Sequence, residues 1–541
     1  MKYIDINNLN YRYPSEEQNA LSDITLKIDK GDMLLIAGES GSGKSTLAKC
    51  IAGTVPGFYG GTISGSILIA GKPIKEMSHK ERSKEITMVF QDPERQLVMD
   101  KVHREVAFGL QNIGIHERNI KRRVFEALQF SGILDLSNRD INTLSGGQKQ
   151  KVALASAIAL LPGCIILDEP TSQLDPSSSE EVISLAKKVN EELGINIIVI
   201  EQRINRWFDS ADRIAVLKGG RLLFCGTAGE LYESANSYIT NFLPTGLRLS
   251  KSLGIFKMPG SFKENRQKLS HFDFNPVPVH YDKKSKEVIG IKNLSVDFGS
   301  IRAIKDIDLK IYGGDFAGII GANGAGKSTL LRSIMGFLKY SGSIRILGAE
   351  ACKQTVSKIA RTCGYVSQNP NDYISKDTVY DELKFTLDNY GIKDEGIIDE
   401  TLDLLGIYDL RNKNPRDISG GERQRVAIAS IIVLKPKILL LDEPTRGLDG
   451  NVLSKLGCTL KKLNGSGTTI VLITHDIEFA ARYCSRFVLM FNGEIAADGS
   501  RDSVLSGGIY YTTEINRLLR NKNEHLFTLE QALLSAGGEH E

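Results

Sequence analysis

A phosphate-binding loop is written twice in this chain, as GESGSGKST from Gly38 to Thr46 and as GANGAGKST from Gly321 to Thr329. In the pattern G-x-x-x-x-G-K-S, glycines let backbone N–H groups turn inward around phosphates. The lysine then reaches the β- and γ-phosphates, and the serine offers a hydroxyl to Mg²⁺. Apolar text, LLIAGES or AGIIGAN, leads into each loop, and a helix is expected from Lys44 or Lys327. The candidate nucleotide contacts are therefore Gly38, Glu39, Ser40, Gly41, Ser42, Gly43, Lys44, Ser45 and Thr46 in the first copy. Gly321, Ala322, Asn323, Gly324, Ala325, Gly326, Lys327, Ser328 and Thr329 are their counterparts, with Ser45 and Ser328 as metal ligands.

The duplication extends beyond the loops. IILDEPTSQLD around Asp168 returns as LLLDEPTRGLD around Asp442, and SGGQKQKVALASAIAL returns as SGGERQRVAIASIIVL, in the same order and at matching spacing. A length of 541 residues exceeds what one hydrophobic core supports and suits two domains. The first copy is placed at 1–230 and the second at 287–500. Residues 231–286 mix prolines, lysines and weak periodicity and read as a helical appendage followed by a linker. The tail, 501–541, reads as two amphipathic helices whose expected role is packing or dimer contact.

Apolar content of 41%, charged content of 25% and a formal net charge of +3 fit soluble globular domains and do not call for nucleic acid. The seven cysteines include no C-x-x-C pair, the pattern of buried thiols in a reducing compartment. The N-terminal text lacks the basic-then-apolar run of a secretory signal, so the expected location is inside the cell. The longest apolar stretches, from Val152 and Val426, are each broken by a proline, Pro162 or Pro436, that should end a helix and precede a buried strand. No transmembrane span is expected, and any membrane role is peripheral.

The strands CIILDEP and ILLLDEP end in paired acids. Asp168 and Asp442 are placed to hold a Mg²⁺ shell, and Glu169 and Glu443 to polarise an attacking water. A single Asp-Glu-Pro could simply terminate a strand. Two copies at matching distance from two phosphate loops point to chemistry instead.

LSGGQ at Leu144 to Gln148 and ISGGE at Ile418 to Glu422 resemble the signature of the ATP-binding cassette family. The resemblance covers nearly all of both copies and includes Gln91 in VFQDP, Gln368 in VSQNP, Asp175 and Asp449 in the LD pairs, and His475 in LITHD. It implies an α/β fold of two tandem P-loop domains, each with a mostly parallel sheet core, an antiparallel β subdomain and a helical subdomain. It also implies ATP and Mg²⁺ as cofactors, with Gln91 and Gln368 joining the metal site. Ser145, Gly146, Gly147 and Gln148, and Ser419, Gly420, Gly421 and Glu422, would complete the phosphate site of the opposite domain in an intramolecular cassette dimer. Tyr13 and Phe298 correspond to the position that stacks on adenine, with Tyr11 an alternative stacker.

The two copies differ at the switch. IIVIEQRI aligned with IVLITHDI puts Gln202 where the second copy has His475. An imidazole can bond the γ-phosphate and titrate; an amide can donate but not titrate. Glu443 and His475 are thus expected to hydrolyse faster than Glu169 and Gln202. The alternative is that Gln202 does the same work at a similar rate.

VFQDPERQLVMDKVHREVAFGLQNIG and GTVPGFYGGTISGSILIAGKPI are similar to the ATPases of energy-coupling factor importers, particularly the fused form. That resemblance implies membrane subunits docked on the segments after Gln91 and Gln368, a separate substrate-binding membrane protein, and a vitamin or transition-metal ion as cargo. The protein would sit peripherally on the cytoplasmic side of the cell membrane. Asp92, Glu94 and Glu105 could meet arginines of the membrane subunit or could form a solvated acidic face. The competing reading is a soluble tandem cassette ATPase acting on ribosomes or nucleic acid. Ribosome-associated relatives usually carry a long charged helical linker, which this chain lacks.

Overall fold

Met33–Gly38, MLLIAG, is buried at every position, the pattern of a strand covered on both faces. Such strands form the centre of each half. The computed structural model describes residues 2–537 apart from 15, 173, 203, 276–285 and 300. The chain divides into two units, one of residues 1–251 with 255–258 and the other of 252–254 with 259–541.

In the first unit the strands are Lys2–Arg12 (β1), Leu21–Asp29 (β2), Met33–Gly38 (β3), Thr62–Ile69 (β4), Lys72–Pro73 (β5), Ile86–Val89 (β6), Cys164–Asp168 (β7), Asn196–Ile200 (β8), Arg213–Lys218 (β9) and Arg221–Gly226 (β10). They form an antiparallel sheet, β2-β1-β4-β5, and a six-stranded sheet, β10-β9-β3-β8-β7-β6. The second is parallel except at its β10 edge.

The second unit repeats the plan with Glu287–Phe298 (β11), Ile301–Tyr312 (β12), Phe316–Gly321 (β13), Ser341–Ile346 (β14), Ala349–Glu350 (β15), Cys363–Val366 (β16), Ile438–Asp442 (β17), Thr469–Ile473 (β18), Arg486–Phe491 (β19) and Glu494–Ser500 (β20). Its sheets run β12-β11-β14-β15 and β16-β17-β18-β13-β19-β20.

The proline-broken apolar stretches behave as expected. The helix Gly146–Ala159 stops before Pro162 and β7 follows; Gly420–Ile432 stops before Pro436 and β17 follows. Both strands are buried throughout, and each delivers its acids at its C-terminal end.

Three helices, Val102–Asn112, Glu117–Phe130 and Gly146–Ala159, share a separate small core around Val106, Leu110, Leu128 and Val152. This is the helical subdomain of the first unit. One expectation fails here. Glu105 is buried, and its Oε2 accepts the backbone N–H groups of Val98 at 2.9 Å and Met99 at 2.7 Å. It is therefore neither a solvated acid nor free to meet a partner's arginine. Glu382 does the same in the second unit, accepting from Ser375 and Lys376 at 2.7 and 2.8 Å.

The 231–286 segment divides between the units. Ser237–Thr240 and Thr245–Ser252 are helical, and Ile239, Leu243 and Leu247 join the first unit's core. The helix Phe262–Leu269 instead packs on the tail: Arg266 donates to the Arg517 carbonyl at 2.9 Å, and the Asn275 N–H to the Ser535 carbonyl at 3.0 Å. The Pro-rich linker text at 276–285 lies outside the described residues. After a short helix, Arg501–Leu505, the tail forms the two helices expected, Glu514–Leu519 and Leu529–Ser535. It seats on the helix Ile477–Tyr483, where Glu478 accepts the Glu514 N–H at 2.7 Å and Arg482 pairs with Glu530 at 2.8 Å. Among the described residues no helix is long and apolar enough to cross a membrane.

Candidate nucleotide sites

Each phosphate loop joins the end of a central strand to a helix N-terminus, Lys44–Ile51 in the first unit and Lys327–Ile334 in the second. At Gly321 φ is 146°, and an added Cβ would lie 2.2 Å from the Met490 carbonyl, so only glycine fits. Lys44 Nζ donates to the carbonyls of Gly38 and Glu39 at 2.8 and 2.7 Å, and Lys327 Nζ to those of Gly321 and Ala322, both at 2.8 Å. The lysines thus arch over the loops that surround their own helix starts. Backbone N–H groups at these turns and the helix dipole make both concavities anion sites.

The parallel sheets bring the acids to the loops. Ser45 Oγ donates to Asp168 Oδ1 at 3.1 Å, and Ser328 Oγ to Asp442 Oδ1 at 3.0 Å. Burial raises both aspartates above the usual carboxylate range, opposed by the serine hydrogen bonds and nearby basic residues. Glu169 and Glu443 follow in the left-handed region, with φ of 47° and 53°. Non-glycine residues held there store strain, which recurs where side-chain aim matters.

Around these glutamates the units differ. In the first, Glu169 is held from two sides: Gln91 Nε2 donates to Oε2 at 2.5 Å and Gln202 Nε2 to Oε1 at 2.6 Å. Burial, with Glu201 and Asp168 nearby, pushes its carboxyl upward. In the second, His475 contributes its backbone N–H to Glu443 Oε2 at 3.2 Å, and its Nε2 lies 3.2 Å from Oε1. Gln368 is exposed and does not hydrogen-bond Glu443. Burial pushes Glu443 up to about 7, against the opposing Lys327 charge. A carboxyl poised there exchanges a proton readily near neutral pH.

Ser145 and Ser419 cap the helices Gly146–Ala159 and Gly420–Ile432. Gln148 and Glu422, expected as nucleotide contacts, close capping boxes: Gln148 Oε1 accepts the Ser145 N–H at 3.0 Å, and Glu422 Oε2 the Ser419 N–H at 2.9 Å and its hydroxyl at 2.8 Å. Gly146 and Gly420 form the first turns, and a Cβ on Gly147 or Gly421 would press on Ser178 or Leu448. Tyr13 is half-buried, and its hydroxyl lies 3.2 Å from Thr46 Oγ1 beside the loop. Phe298 is exposed. Tyr11 is fully enclosed, edge-on to Tyr13 and bonded to the Gly60 carbonyl at 2.8 Å, so it has no face for a base.

Several partners had no motif to announce them. Tyr365 places its hydroxyl 3.4 Å from Asp442 Oδ2, where the first unit has Met88. Thr171 is bound through its hydroxyl and its N–H to Glu201, a buried acid beside Gln202. Aligning the two copies residue by residue would have flagged both differences.

A sequence profile of the ABC transporter family matches residues 21–172 and 304–446. A protein of Bacillus thuringiensis subsp. konkukian (strain 97-27), described as an ABC transporter ATP-binding protein, is 35% identical over 539 residues, 98% of this chain and 97% of its own length. One of the same description from Clostridium tetani (strain Massachusetts / E88) is 40% identical over 425 residues, 78% of this chain and 96% of that protein. Among solved structures, CbiO1 of Clostridium perfringens, part of the ABC transporter complex CbiONQ, aligns at 36% identity with a TM-score of 0.40, over 43% of this chain and 91% of its own. A profile that claims both halves and a relative matched over nearly the whole length lead to one conclusion: the chain belongs to the ABC transporter family, as an ATPase built of two tandem ATP-binding cassettes.

Proposed function

We propose that this ATPase is the energy-coupling subunit of a membrane transporter, of the type that imports a vitamin or transition-metal ion. The observation that carries the reading is the surface around Gln91. Phe90 and Val98 are 42% and 68% exposed there, beside the acidic Asp92 and Glu94. Exposed apolar side chains rimmed by charge mark a docking surface. Because Gln91 also bonds Glu169, a partner helix seated there is connected to the nucleotide site by one short segment. The segment after Gln368 serves the second unit in the same way, and a separate membrane protein recognises the cargo. ATP binding closes the cassettes and hydrolysis reopens them, with the γ-phosphate contacts selecting the closed state.

The donor chemistry fits Mg²⁺. Ser45 with Asp168, and Ser328 with Asp442, bring paired hard oxygens together at 3.1 and 3.0 Å, the ligand type this ion prefers. Those residues would hold it, with Gln91 and Gln368 in reach of its shell, and the bound ion would neutralise phosphate charge. Lys44 and Lys327 meet the β- and γ-phosphates, the capped helices at Ser145 and Ser419 bind anionic oxygens, and Tyr13 and Phe298 stack on adenine. Glu443, with His475 against it, orients and deprotonates the attacking water. Glu169, held by two amides, retains ATP more than it turns it over.

Purification of the tagged chain from detergent-solubilised membranes tests the transporter reading. An integral membrane partner lost on Val98→Asp is expected. Ribosomes or nucleic acid in its place would contradict it and favour the soluble tandem ATPase.

A further inference from the structure

We infer that Glu201 is a positioning residue of the first nucleotide site, closing a side-chain ring that keeps Gln202 on Glu169 and so makes the site hold nucleotide. The inference rests on the division between a retaining and a hydrolysing site proposed above, and it names the residue that creates the division.

The two units serve as internal controls. Glu201 occupies the position of Thr474, immediately before the switch residue. In the second unit the contact at this place is small and neutral: Thr445 and Thr474 share one hydroxyl–hydroxyl hydrogen bond of 2.7 Å, and Thr474 Oγ1 also accepts the Asp476 N–H at 3.0 Å. In the first unit a buried carboxylate replaces the threonine. Glu201 Oε1 accepts from Thr171 Oγ1 at 2.5 Å and from the Thr171 N–H at 3.2 Å. One carboxyl oxygen thus takes both the hydroxyl and the N–H of Thr171, where Thr445 and Thr474 share a single hydroxyl pair. Trp207, the one tryptophan of the sequence, is fully buried and sets its Nε1 3.4 Å from Thr171 Oγ1.

Thr171 lies two residues beyond Glu169, and Glu201 lies next to Gln202. The Thr171–Glu201 bonds therefore tie the loop leaving β7 to the end of β8. Gln202 crosses the same gap in the other direction to reach Glu169 at 2.6 Å. The two links close a ring through both strand ends. The backbone beyond the switch differs as well. Where the second unit has the helix Ile477–Tyr483, the first has two short 3₁₀ turns, Ile204–Arg206 and Phe208–Ser210, wrapped around Trp207. A switch held at both sides cannot swing as a histidine on a hydroxyl pair can. Gln202 stays on the glutamate, and the glutamate stays committed to amides.

The test uses the full chain in Glu201→Thr, which copies the second unit, and in Thr171→Val and Glu201→Gln. Radiolabelled ATP with Mg²⁺ is bound, chased with unlabelled ATP, and the retained nucleotide is followed beside steady-state turnover. Glu201→Thr and Thr171→Val should release the slowly exchanging nucleotide about ten-fold faster, the factor one such hydrogen bond is worth, with kcat moving by less than about two-fold. Glu201→Gln keeps an acceptor oxygen for both Thr171 donors and should retain nucleotide as the unaltered chain does. Thermal unfolding of each variant separates loss of the ring from loss of the fold. Unchanged retention in folded Glu201→Thr and Thr171→Val would overturn the inference, as would equal loss in Glu201→Gln. Failure of the underlying reading shows differently: the unaltered chain then has no slowly exchanging nucleotide at all, which overturns both.

Discussion

Gln202 donates its amide to Glu169 Oε1 at 2.6 Å, in the place where the second unit sets the imidazole Nε2 of His475 3.2 Å from Glu443 Oε1. Both glutamates leave a buried parallel strand at positive φ beside a phosphate loop. The switch partner differs in kind. An amide can only donate to the carboxylate it holds, whereas an imidazole can donate, accept and titrate.

Gln202→His in a Glu443→Gln background should therefore raise hydrolysis at the first site. A gain on the order of ten-fold in single-turnover rate is expected, below the roughly 100-fold or more that a freely positioned acid–base group supplies, because Glu201 still restrains the loop. No gain would place the difference elsewhere in the site.

Gly321→Ala should cost both stability and nucleotide. The new Cβ would meet the Met490 carbonyl of β19 at 2.2 Å, and neither backbone can move without disturbing the sheet. A loss of about 1–3 kcal/mol in unfolding free energy is expected. Equilibrium binding of labelled ATP should weaken in the same variant.

The tail should grip its unit less firmly as pH rises. Burial pushes Glu478 up to about 8 from an ordinary value of 4.5, while its hydrogen bond from the Glu514 N–H opposes the shift. The folded form thus keeps a proton that the unfolded chain gives up near pH 4.5. This contribution is fully present below that pH and is lost as pH climbs through about 8. Thermal unfolding across pH 5 to 9 should show stability falling by up to about 5 kcal/mol from this group, and Glu478→Gln should flatten the slope.

Glu105→Ala should destabilise the helical subdomain of the first unit by about 1–3 kcal/mol, because it strands the N–H groups of Val98 and Met99. A charge reversal of a solvated acid would cost almost nothing, so chemical denaturation of this variant distinguishes the two placements.

Much of this could be read from residues in a row. The phosphate loops, the strands ending in Asp168 and Asp442, the capped signature helices and the prolines that separate helix from strand all depend on neighbours within a few positions. What escaped depends on pairing across the fold. Glu105 looks like one more acid in a charged run, and only the turn at Val98 and Met99 shows why it is buried. Phe262–Leu269 reads as linker because its partner, the tail around Arg517, lies some 250 residues away. Gln91 and Gln368 are equivalent in sequence, yet one bonds its glutamate and the other does not. Glu201 belongs to no motif, and only its hydrogen bonds with Thr171 across the fold mark it out.

The central claim is that two unlike sites divide retention from hydrolysis, and separate turnover measurements of Glu443→Gln and Glu169→Gln test it most directly. Steady-state ATP hydrolysis should fall by about 100-fold in Glu443→Gln, as loss of a general base requires. It should fall by only about three-fold or less in Glu169→Gln, where the altered group already holds two amide donors. Equal losses in the two variants would contradict it.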